Sequence, residues 1–341
     1  MRRSLRTTVS AVALAGMVSV AGVVCSSGAF ADPIDYTIFY TTFAGGQNVW
    51  KVEAKYTGDG TVGNGTFSLL NDSNIASTTG ADGIVFNPNS GKLLIGGQGN
   101  RVHEVNPVGG AFTTVAPGVD AYHLVVDPNK QVVWASSIPG SLSSVPINPF
   151  GTAGTPKTIT GDDTLITSMA FTPGGTVFYT SSGGGGTGSF GTIDLSGVNA
   201  VTTRILASLP AAHGMVYDPF SGDLILGGAN EIAQIDPTNP SVIISSALFA
   251  GNQFDQGAVD GKGHIFWADN LGKFFFMDYS TTNAVGDSNN FVSDAFFKSN
   301  LDDIAPLIGA GGTNQVPEPV TLALFGLGLA GLGFMRRRRA A

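Results

Sequence analysis

Short apolar runs, each stopped by a turn of proline, glycine, asparagine or aspartate, recur along the chain in ordered sets. Gly83-Ile-Val-Phe-Asn-Pro88 turns through Asn89-Ser90-Gly91 into Lys92-Leu-Leu-Ile-Gly-Gly97, and Arg101-Val-His-Glu-Val-Asn106 follows. The set returns nearly unchanged as Gly214-Met-Val-Tyr-Asp-Pro219, Asp223-Leu-Ile-Leu-Gly-Gly228 and Glu231-Ile-Ala-Gln-Ile-Asp236. Looser copies begin at His123, Ser168 and Gly257. Runs this short, rich in Val, Ile and Phe and bounded by turn residues, predict strands rather than helices. No amphipathic helix of useful length interrupts them.

The turn after each first run falls at Pro88, Pro128, Pro173, Pro219 and Gly261, at intervals of 40, 45, 46 and 42 residues. Each copy also predicts an outer strand: Phe112–Val115, Lys157–Thr160, Val201–Leu206, Val242–Ser245 and Phe291–Phe297. A period of this size with four short strands per unit is the pattern of a β-propeller blade. Thr37–Thr41, Val49–Ala54 and Phe67–Leu70 supply a unit that lacks its first strand. Asp302-Asp303-Ile304-Ala305-Pro306 supplies a first strand without followers. Joined, they make a composite blade that closes a ring. The expectation is an all-β propeller of six four-stranded blades. A two-sheet sandwich is the rival, and it requires no such repeat.

Both ends read as targeting segments. Arg2, Arg3 and Arg6 precede an apolar stretch from Val9 to Val24 and the A-x-A sequence Ala29-Phe30-Ala31, the layout of a secretory signal peptide cleaved before Asp32. Val24 is bulkier than the residue expected before a lipidated Cys25. Loss of Cys25 with the signal would leave a chain without disulfides in an oxidising compartment. At the other end, Val316-Pro317-Glu318-Pro319 precedes an apolar run from Val320 to Met335, then Arg336, Arg337, Arg338 and Arg339. As a helix the run spans about 24 Å, extended by snorkelling of Arg336, and the arginines hold that end in the cytoplasm. Gly326 to Gly331 fits a dinucleotide fingerprint in spacing only, without the strand before it or the acid after it. The tail resembles the PEP-CTERM sorting signal. That resemblance implies recognition of the Pro-Glu-Pro box by an exosortase-type processing enzyme, passage through the secretion translocon, and transient anchoring in the inner membrane by the C-terminal helix. It also implies an association with exopolysaccharide production. The expected organisation is a signal peptide over 1–31, a propeller over 32–315 and a sorting signal over 316–341.

Charge sharpens the picture of the body. Without the seven terminal arginines, 10 of 17 basic residues remain; without Glu318, 24 of 25 acids remain, for a net charge of −14. Such a surface excludes nucleic acid as a partner, because phosphate neutralisation needs clustered Lys and Arg. It suits an extracellular protein or one that holds cations. Forty-eight glycines fit a chain with many tight turns.

The repeat also predicts a site. Residues leading into the first strand of each blade cluster at one mouth of the central channel. These are Asp82, Tyr122 or His123, Thr167 or Ser168, His213, Asp255 and Asp302. Carboxylates and imidazoles converging on an axis suit a divalent cation, with Asp82, His123, His213, Asp255 and Asp302 as candidate ligands. The alternative is that these groups bond to neighbouring backbone and solvate the channel. The body resembles NHL-type and gluconolactonase-type propellers; the latter hold a divalent metal at the comparable place and hydrolyse lactones. The acid and asparagine pattern of their ligands is not recognisable here. No catalytic residue is assigned, and no Gly-x-Ser-x-Gly elbow occurs.

His103 and His264 read as residues on strand faces, and Trp50, Trp134 and Trp267 as packing anchors. The glycine runs at 58–66 and 183–188 lack the acids or the Lys-Ser/Thr that would make them ion or phosphate loops. The leading functional expectation is an exported binding or scaffolding protein whose partners are a polysaccharide or a surface protein. The alternatives are a metal-dependent lactonase or hydrolase and a self-assembling surface-layer component.

Overall fold

The computed structural model describes residues 33–43, 46–58, 63–137, 140–182 and 187–305. The signal peptide, Val316 to Pro319, the apolar run and Arg336 to Arg339 lie outside them, as do Gly183 to Gly186 and Asp59. Every regular element among the described residues is a strand, and no helix there is long and apolar enough to cross a membrane.

Four strands form the sheet that joins the chain's two ends. β1 (Ile34–Thr42), β2 (Val49–Gly58) and β3 (Gly65–Ala76) run as a meander, and β23 (Leu301–Ala305) adds to the free edge of β1. Tyr40 pairs with Ile304 and Phe39 with Ala305, so the composite sheet forms as the sequence pattern requires. A second meander holds β4 (Ile84–Phe86), β5 (Leu93–Ile95), β6 (Arg101–Val105) and β7 (Phe112–Pro117).

An eight-stranded sheet contains two further meanders. They are β8 (His123–Val126), β9 (Val132–Ser137), β10 (Ser141–Pro146) and β11 (Lys157–Gly161), then β12 (Ser168–Phe171), β13 (Val177–Ser181), β14 (Gly188–Asp194) and β15 (Ala200–Leu209). Their outer edges are joined by parallel pairing of β11 with β15, with Ile159 beside Ala200 and Thr160 beside Val201. That pairing covers two edges that would otherwise expose unpaired backbone. The hydrophobic pattern signals neither this junction nor β10, whose serines dilute the apolar alternation of Leu142 and Val145.

The last sheet has seven strands: β16 (Gly214–Asp218), β17 (Asp223–Gly227), β18 (Ala229–Ile235), β19 (Ile243–Val259), β20 (His264–Asp269), β21 (Lys273–Asp278) and β22 (Phe291–Phe296). Here the expectation of separate strands at Val242–Ser245 and Gly257–Asp260 is corrected. β19 is one continuous strand that pairs first with β18 and then, past a register shift between Phe254 and Gly257, with β20. The chain passes from the outside of one meander to the inside of the next without a loop.

The innermost strands touch in a closed cycle: β23 meets β4, β4 meets β8, β8 meets β12, β12 meets β16, β16 meets β19, and β19 meets β23. This cycle makes the body a propeller-like ring and rules out a two-sheet sandwich. Side chains between neighbouring sheets form the core. Phe266, Phe274 and Phe276 of β20 and β21 pack against Ile38, Tyr40 and Val52 of β1 and β2. Trp267 is fully buried, and a Cβ placed on Gly227 or on Gly257 would lie 2.5 Å from its indole. Those two positions therefore accept only glycine without repacking.

Candidate cation site at the channel mouth

Asp302 and Asp303 are consecutive in β23, and in a regular strand they would face opposite sides. The register prevents this. Tyr40 pairs with Ile304 and Thr42 with Leu301, so both aspartates stand opposite Thr41 alone. One extra residue in a strand is a β-bulge, which re-aims side chains. The Thr41 hydroxyl donates to the Asp82 carbonyl at 2.7 Å and accepts the Asp303 N–H at 3.1 Å. Thr41 thus clamps the bulge to the segment leading into β4.

The consequence is a carboxylate trio. One oxygen each from Asp255, Asp302 and Asp303 lie within 4.8 Å of one another. Asp302 and Asp303 are buried, and among the described residues the Asp302 Oδ2 has no hydrogen-bond partner. Asp82 approaches as a fourth carboxyl, within hydrogen-bonding reach of Asp302 and of the Gln98 side chain. Burial, followed by the charges of Asp82, Asp255 and Asp303, pushes the Asp302 carboxyl well above the usual range. Burial and the charges of Asp255 and Asp82 do the same to Asp303. Asp82 is pushed up to about 6, chiefly by burial. Asp255 is the exception. Burial would raise it, but His213 on one side and the Asn270 side chain on the other hold it below its ordinary value.

The histidines play different parts from those expected of ligands. His213 Nε2 lies 3.1 Å from Asp255 Oδ1, and its Nδ1 lies 2.7 Å from the Ser182 hydroxyl. Both ring nitrogens are engaged, and although burial opposes it, Asp255 raises the imidazole's pKa. His123 Nε2 sits 2.9 Å from Ser168 Oγ, and burial drives its pKa down to about 4. It is therefore neutral at pH 7, and its 3.6 Å approach to Asp303 Oδ2 is not a charge pair. Ser168 also donates to Gln256 Oε1 at 3.2 Å and accepts the Met215 N–H at 3.1 Å, binding His123 into a polar belt across the channel. Thr167 donates to the Ala212 carbonyl. The Tyr122 N–H donates to the Ser136 carbonyl.

The mouth positions do converge, but the close oxygen set is Asp255, Asp302 and Asp303. Asp82 stands beside it, and His123 and His213 stand behind it. Asp303 is the residue that sequence reasoning passes over. The only signal was the Asp-Asp pair itself, and strict alternation argues against using both members. A donor set of oxygens alone, with one buried oxygen unpartnered, fits a hard cation such as Ca²⁺, Mg²⁺ or Mn²⁺ better than a metal that prefers nitrogen.

Among known proteins, a luciferin-regenerating enzyme is 12% identical, with a TM-score of 0.42 over 80% of this chain and 99% of that one. Regucalcin from Agrobacterium tumefaciens, described as a calcium-binding protein, is 15% identical, with a TM-score of 0.49 over 71% of this chain and 85% of that one. The ring described above rests on the contacts between its own innermost strands and owes nothing to either. No curated protein matches the chain. Residues 315–339 match the model of the PEP-CTERM protein-sorting motif. The chain therefore carries a PEP-CTERM tail, the mark of a protein exported and sorted by an exosortase to the cell surface or extracellular space.

Proposed function

We propose that this protein is a surface-displayed six-bladed propeller that acts as a binding or scaffolding protein and holds a divalent cation at its channel mouth. In this reading residues 1–31 are a signal peptide and 32–315 the propeller. The tail beyond, with Pro317-Glu318-Pro319 as recognition box and Val320 to Met335 as membrane helix, is removed or transferred during sorting. The closed cycle of first strands, with β19 counted in two blades, supports a count of six. The partners are a polysaccharide or a surface protein outside the cell.

The observation that carries the cation is the bulge. It turns two adjacent aspartates toward Asp255 and leaves the Asp302 Oδ2 buried without a partner. Such a cluster is costly by itself, since like charges are brought together out of water. A cation held by Asp255, Asp302 and Asp303, with Asp82 adjoining, would remove that cost and present a positive pole to an oxygen of a ligand. The test is a calorimetric titration of residues 32–315 with Ca²⁺, Mg²⁺ and Mn²⁺, with metal analysis of the purified protein. Stoichiometric binding lost in Asp302→Asn supports the reading. Absence of binding by all three ions overturns it.

One observation favours a hydrolase as second reading. The His213–Asp255 pair stands at the trio, where a bound metal would supply Lewis-acid activation of water and His213 could hold a proton. Metal-dependent turnover of simple lactones that falls in His213→Gln would select this reading over display alone.

A further inference from the structure

We propose that the cleft between the β8–β11 and β12–β15 meanders, on the face opposite the channel mouth, binds a neutral hexose disaccharide. This deepens the display-and-binding reading by naming a ligand class and rests on it, but it uses none of the residues at the cation site. The cleft measures about 590 Å³, within the ~300–1,000 Å³ of small-molecule sites. It opens at the turns that follow β8 and β12, the far ends of strands whose beginnings face the channel mouth.

Two aromatic side chains form its walls. Trp134 of β9 and Phe171 at the end of β12 each pack one side against the core around Met169 and Tyr179 and turn the other to the cleft. The three tryptophans are not equivalent. The Trp267 indole N–H donates to the Asp255 carbonyl at 2.8 Å, and that of Trp50 reaches Thr42 Oγ1 and the Gln47 carbonyl, each at 3.3 Å. Among the described residues the Trp134 indole N–H has no acceptor, although a half-buried indole ordinarily finds one. Trp134 lines the cleft, and we assign a ligand oxygen there as the acceptor for its N–H.

The polar groups beside it are acceptors and neutral amides. The Asn129 carboxamide makes no hydrogen bond among the described residues. Asp194 receives the Ser196 N–H at 2.8 Å, and the Ser196 bonds keep it below the usual carboxylate range, so it is an ionised acceptor. The lining contains no Lys, Arg or His. A phosphate or sugar acid would meet two carboxylates, Asp127 and Asp194, offset only in part by Lys157, which stands near Asp194 outside the lining; this disfavours anionic ligands. Flat apolar walls suit the C–H faces of a pyranose, and an indole donor with amide and carboxylate acceptors suits its hydroxyls. Pro128 and Pro173 at the rim stiffen the two turns, which lowers the ordering cost of binding.

The test titrates residues 32–315 with cellobiose, maltose and lactose, with digalacturonate as the charged comparison, read by calorimetry and tryptophan fluorescence. At least one neutral disaccharide should bind and change the emission. Trp134→Phe, which keeps the apolar filling and removes the donor, and Asn129→Ala should each weaken binding about tenfold, the effect of one lost hydrogen bond. Asp302→Asn should bind the sugar as the parent does while losing Ca²⁺, so the two sites fail separately. The proposal is overturned if no neutral disaccharide binds to folded parent protein. It is equally overturned if digalacturonate binds more tightly, or if both cleft variants bind like the parent.

Discussion

Asp302→Asn should make the cation-free protein more stable and the Ca²⁺-loaded protein less stable than the parent. The substitution conserves shape, so it opens no cavity. In the parent the buried Asp302 Oδ2 lacks a partner, and its carboxyl faces Asp82 with Asp255 and Asp303 nearby. A buried polar atom without a partner costs about 1–3 kcal/mol. The asparagine amide can keep the hydrogen bond to Asp82 while removing the charge that Asp82, Asp255 and Asp303 oppose. A gain of about 2 kcal/mol would raise the melting temperature in EDTA by roughly 4–8 °C, at ~2–4 °C per kcal/mol for a domain approaching this size. The sign with pH follows from the raised carboxyl. The parent's penalty is greatest where the carboxyl is ionised and fades as acid supplies the proton, so the variant's advantage shrinks as the pH falls. With Ca²⁺ at 100 times its dissociation constant the parent gains about 2.7 kcal/mol and the variant gains little, which reverses the order. Thermal melts in EDTA and across a calcium series read both arms. A variant that melts below the parent in EDTA, or that gains as much from calcium as the parent, would refute the reasoning.

Four further outcomes are expected. His264 is buried with Nδ1 2.6 Å from Asp260 Oδ2 and Nε2 3.7 Å from Asp278 Oδ1, and Tyr36 and Tyr56 bond into the same group. Burial opposes its charge, but the two aspartates raise its pKa to about 9. This contribution, up to about 3 kcal/mol, is complete below pH 6.5 and lost as pH rises through 9. The urea midpoint should fall over that window, and His264→Gln should flatten the fall. Gly227→Ala should cost about 1–3 kcal/mol by pressing on the Trp267 indole, measured as a lower urea midpoint; an unchanged midpoint would show that the indole can shift. Ending the chain at residue 300 removes β23, opens the ring and deletes two of three carboxylates, so both cooperative melting and calcium binding should disappear together. The protein recovered from a native host should have the mass of a chain starting at Asp32 and cut near Val316; an intact tail would contradict processing there.

The sequence carried the ring because its cause is local. Apolar runs punctuated at Pro88, Pro128, Pro173, Pro219 and Gly261 fix strand lengths and turns, and an orphan Leu301–Ala305 strand needs the free edge of β1. The sorting tail was legible for the same reason, since Pro317-Glu318-Pro319, the apolar run and the arginines act by contiguous chemistry. Alignment of the repeats also brought Asp82, Asp255 and Asp302 to one mouth. What the sequence could not contain is register. The bulge opposite Thr41, which turns Asp303 beside Asp302, comes from how β1 and β23 slide against each other, and residues 262 positions apart set it. The same holds for His123, neutral because the ring closes over it, and for the Trp134 indole, left without an acceptor among the described residues at the cleft between two meanders. Periodicity is written along the chain, whereas burial, charge state and the pairing of each polar atom belong to the assembled ring.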